Sequence, residues 1–125
     1  MNRLMMQAYE PDQVRGRESR IRINRRAQKL AYKAPNGMVF FIDTSAVDEG
    51  GEPRVFTEHA ELYGASHRTH TLGGGRVCLA SSLRGWDLTR ILLQCDSWAR
   101  GYEIYQRTGR FPRNARESFS RGRSN

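Results

Sequence analysis

One cysteine of this chain follows two histidines and a run of three glycines, a set of residues that could carry out acyl transfer. The segment from residue 66 to residue 79 reads SHRTHTLGGGRVCL, with Cys78 as its next-to-last residue. A thiolate is both a strong nucleophile and a good leaving group, so a cysteine can accept an acyl group and later release it to an amine. Cys78 is therefore the candidate nucleophile.

Other interpretations of the same segment must be weighed against this one. Cys78, between two apolar neighbours, could be a small buried hydrophobic residue, and the histidines could be loop residues bonded to nearby backbone. A cysteine protease would pair Cys78 with a histidine, but such a cysteine usually opens a helix. His59, His67, His70 and Cys78 could in principle bind zinc, but the spacing between His70 and Cys78 lacks the paired ligand knuckles of structural zinc sites, and no second cysteine lies close in the sequence. We expect no metal site and no cofactor.

The elements that must position Cys78 can be predicted from hydrophobic periodicity. Alternating or continuous apolar patterns predict strands over residues 19–24, 28–33, 38–42 and 53–57, the third of them buried on both faces. Apolar residues then recur at steps of three and four from Leu88 to Tyr105, which predicts one long helix ended by Gly109 and Pro112. Cys95 lies on its apolar face and is predicted to be core. The order predicts an α+β domain with an antiparallel sheet of about four strands backed by this helix.

Composition and charge limit the function classes. The 125 residues suit one domain, and 21 Lys and Arg against 13 Asp and Glu give a net charge of +8. Such a charge suits an acidic protein partner or nucleic acid, but the Arg residues are scattered and no nucleic-acid motif accompanies them, so the sequence does not favour nucleic acid. No apolar run approaches the roughly 20 residues of a membrane span. Two cysteines and no signal-peptide pattern predict a reducing cytoplasm.

The cysteine segment resembles the active-site signature of the ubiquitin-conjugating enzymes, a His-Pro-Asn motif followed by a glycine, a Cys-Leu pair and a tryptophan. His70 stands in the place of the Asn, Gly75 in the place of the Gly, and Trp86 in the place of the Trp. Arg68 and Thr69 replace the His and Pro, with His67 one residue away. The chain is similar to short bacterial members over residues 19–112, without the large first helix and trailing helices of eukaryotic members.

This resemblance implies a conjugating domain over residues 1–112 with a reduced set of terminal helices and a basic flexible tail over residues 113–125. Cys78 would carry a modifier as a thioester, and His70 would donate to the oxyanion of the intermediate, an interaction worth about 3 kcal/mol, or hold the loop. His67, Gly75 and Trp86 would support the site.

The partners follow from the same resemblance. A ThiF-like activating enzyme would load the C-terminus of a ubiquitin-like modifier or of a cyclic-oligonucleotide synthase, and a lysine of a target protein would receive it. Short bacterial members occur in conjugation operons and in antiphage defence operons, so we expect a transferase of bacterial antiphage defence. Two alternatives stay open, namely an inactive adaptor of the same family and a basic nucleic-acid-binding protein that uses its tail.

Overall fold

The computed structural model describes residues 16–49, 51–79 and 87–112, which contain seven β-strands, two short 3-10 turns and one α-helix. The 3-10 turns span Glu18–Arg20 and Glu58–Leu62. The strands are β1 (Ile21–Asn24), β2 (Lys29–Lys33), β3 (Val39–Val47), β4 (Pro53–Phe56), β5 (Ala65–Ser66), β6 (Thr71–Gly73) and β7 (Arg76–Val77), and the helix is α1 (Leu88–Thr108).

All seven strands form one sheet in the order β1-β2-β3-β4-β7-β6-β5, and every neighbouring pair is antiparallel. The predicted four-stranded, ubiquitin-conjugating-like sheet is therefore wrong. The first four strands lie where the sequence places them, but three further strands follow in the segment that has no periodicity. Each of those strands has only two or three residues, which is too short for an alternating pattern to be visible. The backing by one long helix agrees with the prediction.

Among the described residues, α1 covers one face of this sheet and no element covers the other. Alternate strand residues such as Tyr32, Phe40, Ile42 and Val55 are fully buried in the core, together with Leu88, Ile91, Leu92, Cys95 and Trp98 of the helix. The prediction that β3 is buried on both faces is wrong, because Val39 and Phe41 remain 37% and 43% exposed. A continuous apolar run does not reveal that only one layer packs on the strand.

The helix begins and ends with the signals that the sequence carries. The Asp87 side chain accepts a hydrogen bond from the Arg90 amide at 3.2 Å, which caps the first turn. Gly109 adopts φ +76° and donates its amide to the Tyr105 carbonyl at 2.7 Å, which closes the last turn. The predicted helix is confirmed in position and in its apolar face.

The predicted basic tail over residues 113–125 lies outside the described residues. In the part of the chain that the structure describes, no helix has the length and apolar character needed to cross a membrane.

Candidate functional site

Strand β7 places Cys78 at the end of the sheet, directly before the next loop. Val77 is buried, whereas Cys78 is only partly buried. The Cys78 thiol lies 3.7 Å from the Leu79 carbonyl oxygen, to which it can donate a weak hydrogen bond. Cys95 differs, because it is fully buried within α1. The two thiols therefore occupy different environments, and Cys78 is the more accessible one.

The backbone carbonyl of His70 fixes the position of Cys78. This oxygen accepts the Cys78 amide at 2.7 Å and the indole N–H of Trp98 at 3.0 Å. Trp98 is 3% exposed and belongs to α1. A single carbonyl with two lone pairs thus joins the loop, the cysteine and the helix.

His70 itself has a left-handed backbone, with φ +51°. Residues other than glycine adopt this conformation infrequently, and they keep it only where the surrounding structure holds it. Here the two hydrogen bonds to the His70 carbonyl supply that restraint. The strained backbone is therefore part of the geometry that directs this carbonyl toward Cys78.

The imidazole of His70 faces the segment that follows the helix. Its ring lies 4.7 Å from the ring of Phe111, which also packs against Trp98 at 5.6 Å. Burial lowers the pKa of His70, and the neighbouring charge of His67 lowers it further, while the Pro112 carbonyl partly opposes the shift. The neutral form of His70 is therefore favoured at neutral pH.

The charge environment of Cys78 favours the protonated thiol. Burial raises its pKa, the Glu52 carboxylate raises it further, and the guanidinium of Arg76 acts in the opposite direction. Arg76 is itself paired with Asp48 at 2.5 Å. Any reaction through the thiolate therefore becomes faster as the pH rises.

The glycine run forms the turn between β6 and β7. Gly73, Gly74 and Gly75 all have positive φ, at +90°, +62° and +82°. A Cβ on Gly75 would also lie 3.0 Å from Cγ of Glu61, while one on Gly74 would meet no atom within 4 Å. Gly75 is thus required by conformation and by space, and its carbonyl accepts the amide of Thr57 at 3.0 Å.

Two threonines hold the loop that carries His70. The hydroxyl groups of Thr69 and Thr71 are hydrogen-bonded to each other at 2.8 Å, and Thr71 donates to the Gly64 carbonyl at 2.6 Å. Both side chains are buried. Thr69, which stands where the resemblance expects a proline, therefore packs inside the loop.

The structure brings together some of the residues that the sequence proposes for the site. His70 and Cys78 are joined through backbone atoms, Gly75 shapes the turn before the cysteine, and His67 is exposed on the loop close enough to influence His70. Trp86 lies outside the described residues. Within the described ranges, no three His, Cys, Asp or Glu residues are grouped so that they could hold a metal ion.

Sequence reasoning missed three contributors to the site, namely Glu52, Trp98 and Phe111. Trp98 has the helical spacing of a core residue, and nothing in that pattern shows that its indole N–H binds a loop carbonyl. Phe111 follows the helix in a short segment with no period. A buried tryptophan usually finds a partner for its N–H group, and this was the one available signal.

Comparison of the chain with protein-family models, with curated proteins and with solved structures finds no match.

Proposed function

We propose that this protein is a cysteine acyltransferase that carries a protein C-terminus as a thioester on Cys78 and passes it to an amine. The observation that carries the proposal is the placement of Cys78, which is partly exposed at the end of β7 while its amide is held by the His70 carbonyl at 2.7 Å. A nucleophile must meet its acyl donor in one defined geometry, and a fixed main chain beside an accessible sulfur provides that geometry.

The proposed reaction has two steps, loading of Cys78 and discharge to an amine. The Cys78 thiolate attacks the carbonyl carbon of a thioester on an activating enzyme, and the thiolate of that enzyme leaves. A lysine amine of the target then attacks the new thioester, Cys78 leaves as a thiolate, and the amine nitrogen loses a proton to solvent or a base. The product is an amide bond, and the Cys78 thiolate is regenerated.

Within this proposal we assign His70 a positioning role. Its carbonyl holds the Cys78 amide, and its ring packs against Phe111, on the segment that follows the helix. The lowered pKa of His70 favours the neutral imidazole, whose single N–H group is engaged by the Pro112 carbonyl. Of the two roles that the resemblance implies, holding the loop is therefore better supported than donation to the oxyanion.

The partners belong to the same proposal and derive from the resemblance to ubiquitin-conjugating enzymes. We propose that a ThiF-like activating enzyme loads Cys78 with a ubiquitin-like modifier or with the C-terminus of a cyclic-oligonucleotide synthase. A target-protein lysine accepts it, in the cytoplasm of a bacterium and in the setting of antiphage defence. A reducing compartment keeps the thiol free for this chemistry.

The direct test mixes the full chain with the activating enzyme, ATP and the modifier, and then separates the products on a non-reducing gel. We expect an adduct that disappears on treatment with a thiol reagent and is not formed by Cys78→Ala, whereas Cys95→Ala still forms it. Absence of the adduct with an activating enzyme that loads another acceptor contradicts the proposal. That result would support the inactive adaptor.

A second experiment separates the two roles of His70. His70→Gly removes the imidazole but accepts the left-handed backbone, whereas His70→Val keeps a bulky side chain that resists φ +51°. We expect the Gly variant to retain most of the transfer rate and the Val variant to lose most of it. If the Gly variant loses discharge to lysine while Cys78 is still loaded, the imidazole itself acts in the reaction.

A further inference from the structure

We propose that the sheet face opposite α1, which we term the open face, binds single-stranded nucleic acid through stacking on Phe41 and Phe56. This inference is independent of Cys78 and goes beyond acyl transfer. It rests on which side chains the strand register brings to this face, on their exposure and on their charge.

The open face is defined by the alternation of side chains along the strands. Leu30 and Tyr32 of β2, and Phe40 and Ile42 of β3, point into the core below α1. The residues between them must point to the opposite side, because successive side chains of a strand alternate. Phe41 is accordingly 43% exposed.

One row of side chains crosses five strands on this face. The register pairs Arg22 with Ala31, Ala31 with Phe41, Phe41 with Phe56, and Phe56 with Arg76. Two phenyl rings are therefore direct cross-strand neighbours at the centre of the row, with an arginine at each end. Nucleobases stack on aromatic side chains displayed by a sheet in the same way.

A groove of about 700 Å³ lies along this row. Small residues, including Ala27, Ala31 and Gly74, form part of its lining next to the two phenyl rings. They leave room beside the rings for a planar group. A bulky residue in the place of Ala31 would fill the space between Arg22 and Phe41.

The charge around the rings is mainly positive. Arg22, Lys29, Lys33 and Arg54 are all exposed and all alternate with core residues on β1, β2 and β4, which places them on the open face. Among the described residues, no carboxylate forms an ion pair with any of these four. The carboxylates near the face are Asp43, which accepts from Ser45 and lies opposite Lys29 in the register, Glu61 at the groove, and Asp48, which pairs with Arg76. The free positive charge of the face therefore comes from the four exposed basic residues and not from Arg76.

A polyanion with flat bases matches both properties of the open face. The phosphates complement the basic side chains, and the flat bases complement the two rings and the groove beside them. The chain as a whole, with a net charge of +8, attracts the same partner. The sequence does not favour nucleic acid because its arginines are scattered, but the fold gathers several basic residues around two rings.

The test measures fluorescence anisotropy of labelled oligothymidine and oligouridine, each of about 15 nucleotides, a length that such surfaces can cover. We expect the 125-residue chain to bind at least one of them, and comparison of the two oligonucleotides shows whether DNA or RNA is preferred. Phe41→Ala should weaken binding by at least about fivefold through loss of base stacking. Arg22→Gln should lower the dependence of log affinity on log salt concentration by about 0.7, which corresponds to one phosphate contact.

Matched controls lie on the helix layer. Leu93→Ala removes an apolar side chain of similar exposure (41%), and Arg107→Gln removes one exposed positive charge. Both controls should leave the affinity within about twofold of wild type. Glutamine in place of Arg113, Arg116, Arg121 and Arg123 of the tail should weaken binding and its salt dependence through lost charge, but should leave the loss caused by Phe41→Ala unchanged, since base stacking is independent of the tail.

Three results would overturn the proposal: no binding of either oligonucleotide, equal affinity of Phe41→Ala and wild type, or a loss in Leu93→Ala as large as that in Phe41→Ala. If neither oligonucleotide binds but Phe41→Ala weakens binding of an acidic protein, the open face is a protein-docking surface. The test does not depend on transfer activity, since Cys78→Ala should bind the oligonucleotide as the wild type does.

Discussion

Gly101 offers the sharpest test of how α1 and the segment after it surround the candidate site. A Cβ at this position would lie 2.5 Å and 2.8 Å from two ring atoms of Phe111, distances that a real contact does not permit. Gly101→Ala must therefore displace the ring, which also contacts His70 and Trp98. The same substitution removes a glycine from a helix interior, which by itself stabilises a helix by about 1 kcal/mol.

The two effects have opposite sign, and their sizes can be compared. Full burial of a phenylalanine is worth about 1.5–3 kcal/mol, and overpacking of a core site typically costs about 1–3 kcal/mol. Phe111 is half-buried, so displacing it should cost about 2 kcal/mol. We expect Gly101→Ala to destabilise the wild-type protein by about 1 kcal/mol net. In a protein that already carries Phe111→Ala the ring is absent, so the same substitution should stabilise by about 1 kcal/mol.

The assay is urea unfolding followed by tryptophan fluorescence, applied to the two single variants, the double variant and the wild type. Gly109→Ala serves as the matched control. Its φ of +76° makes the substitution costly, but no atom lies within 4 Å of its Cβ position, so its effect should be the same with and without Phe111. If Gly101→Ala stabilises the wild type, the ring of Phe111 does not lie against the helix backbone.

The same variant should change the titration of His70. Burial is the largest cause of its lowered pKa, and Phe111 covers part of its ring. Displacing that ring should therefore move the pKa of His70 upward toward its ordinary value, measured from the NMR chemical shifts of the imidazole. An unchanged or lower pKa in Gly101→Ala would show that Phe111 does not provide the burial.

Further expectations concern the thiols and two buried hydrogen bonds. Because burial raises the pKa of Cys78, its alkylation by iodoacetamide should still be rising with pH where a free cysteine begins to level off, at about pH 8.5, while Cys95 stays unlabelled in the folded protein. Mass spectrometry of the labelled peptides would contradict this if both thiols reacted equally. Tyr32→Phe removes a hydroxyl that donates to the Asp96 carboxylate at 2.7 Å, and should cost about 1–3 kcal/mol in the free energy of unfolding; an unchanged urea midpoint would refute it. Trp98→Phe removes the hydrogen bond from the indole N–H to the His70 carbonyl. We expect faster hydrogen exchange at the Cys78 amide, because this amide donates to the same carbonyl. Unchanged exchange would show that the cysteine is held without the helix.

The parts of the fold that were predictable are those with a sustained period. The helix from Leu88 to Thr108 repeats its apolar face over several turns, and its ends carry Asp87 and Gly109, so both its type and its bounds were accessible. The four longer strands were visible for the same reason. The last three strands are too short to show a pattern. The exposure of one face of β3 depends on which elements pack against the sheet, and the sequence of that strand does not specify them.

Of the candidate site, the sequence indicates only Cys78 and the positions of the neighbouring residues relative to it. The resemblance to the family signature places His70 and Cys78 in one site, but it does not indicate that a backbone carbonyl joins them. The contact with Trp98 spans 28 residues and depends on how the helix crosses the sheet. Long-range contacts of this kind follow from tertiary packing, which local sequence patterns do not specify.

The shared carbonyl of His70 has a consequence for how the protein matures during synthesis. The cysteine depends on a helix residue that follows it in the chain, and the ring beside His70 comes from Phe111, later still. A nascent chain in which only the sheet has emerged from the ribosome therefore holds the sulfur without its final surroundings. The proposed acyl transfer therefore requires the folded helix and Phe111, and a modifying reagent that meets the incomplete chain would meet the thiol in a different geometry.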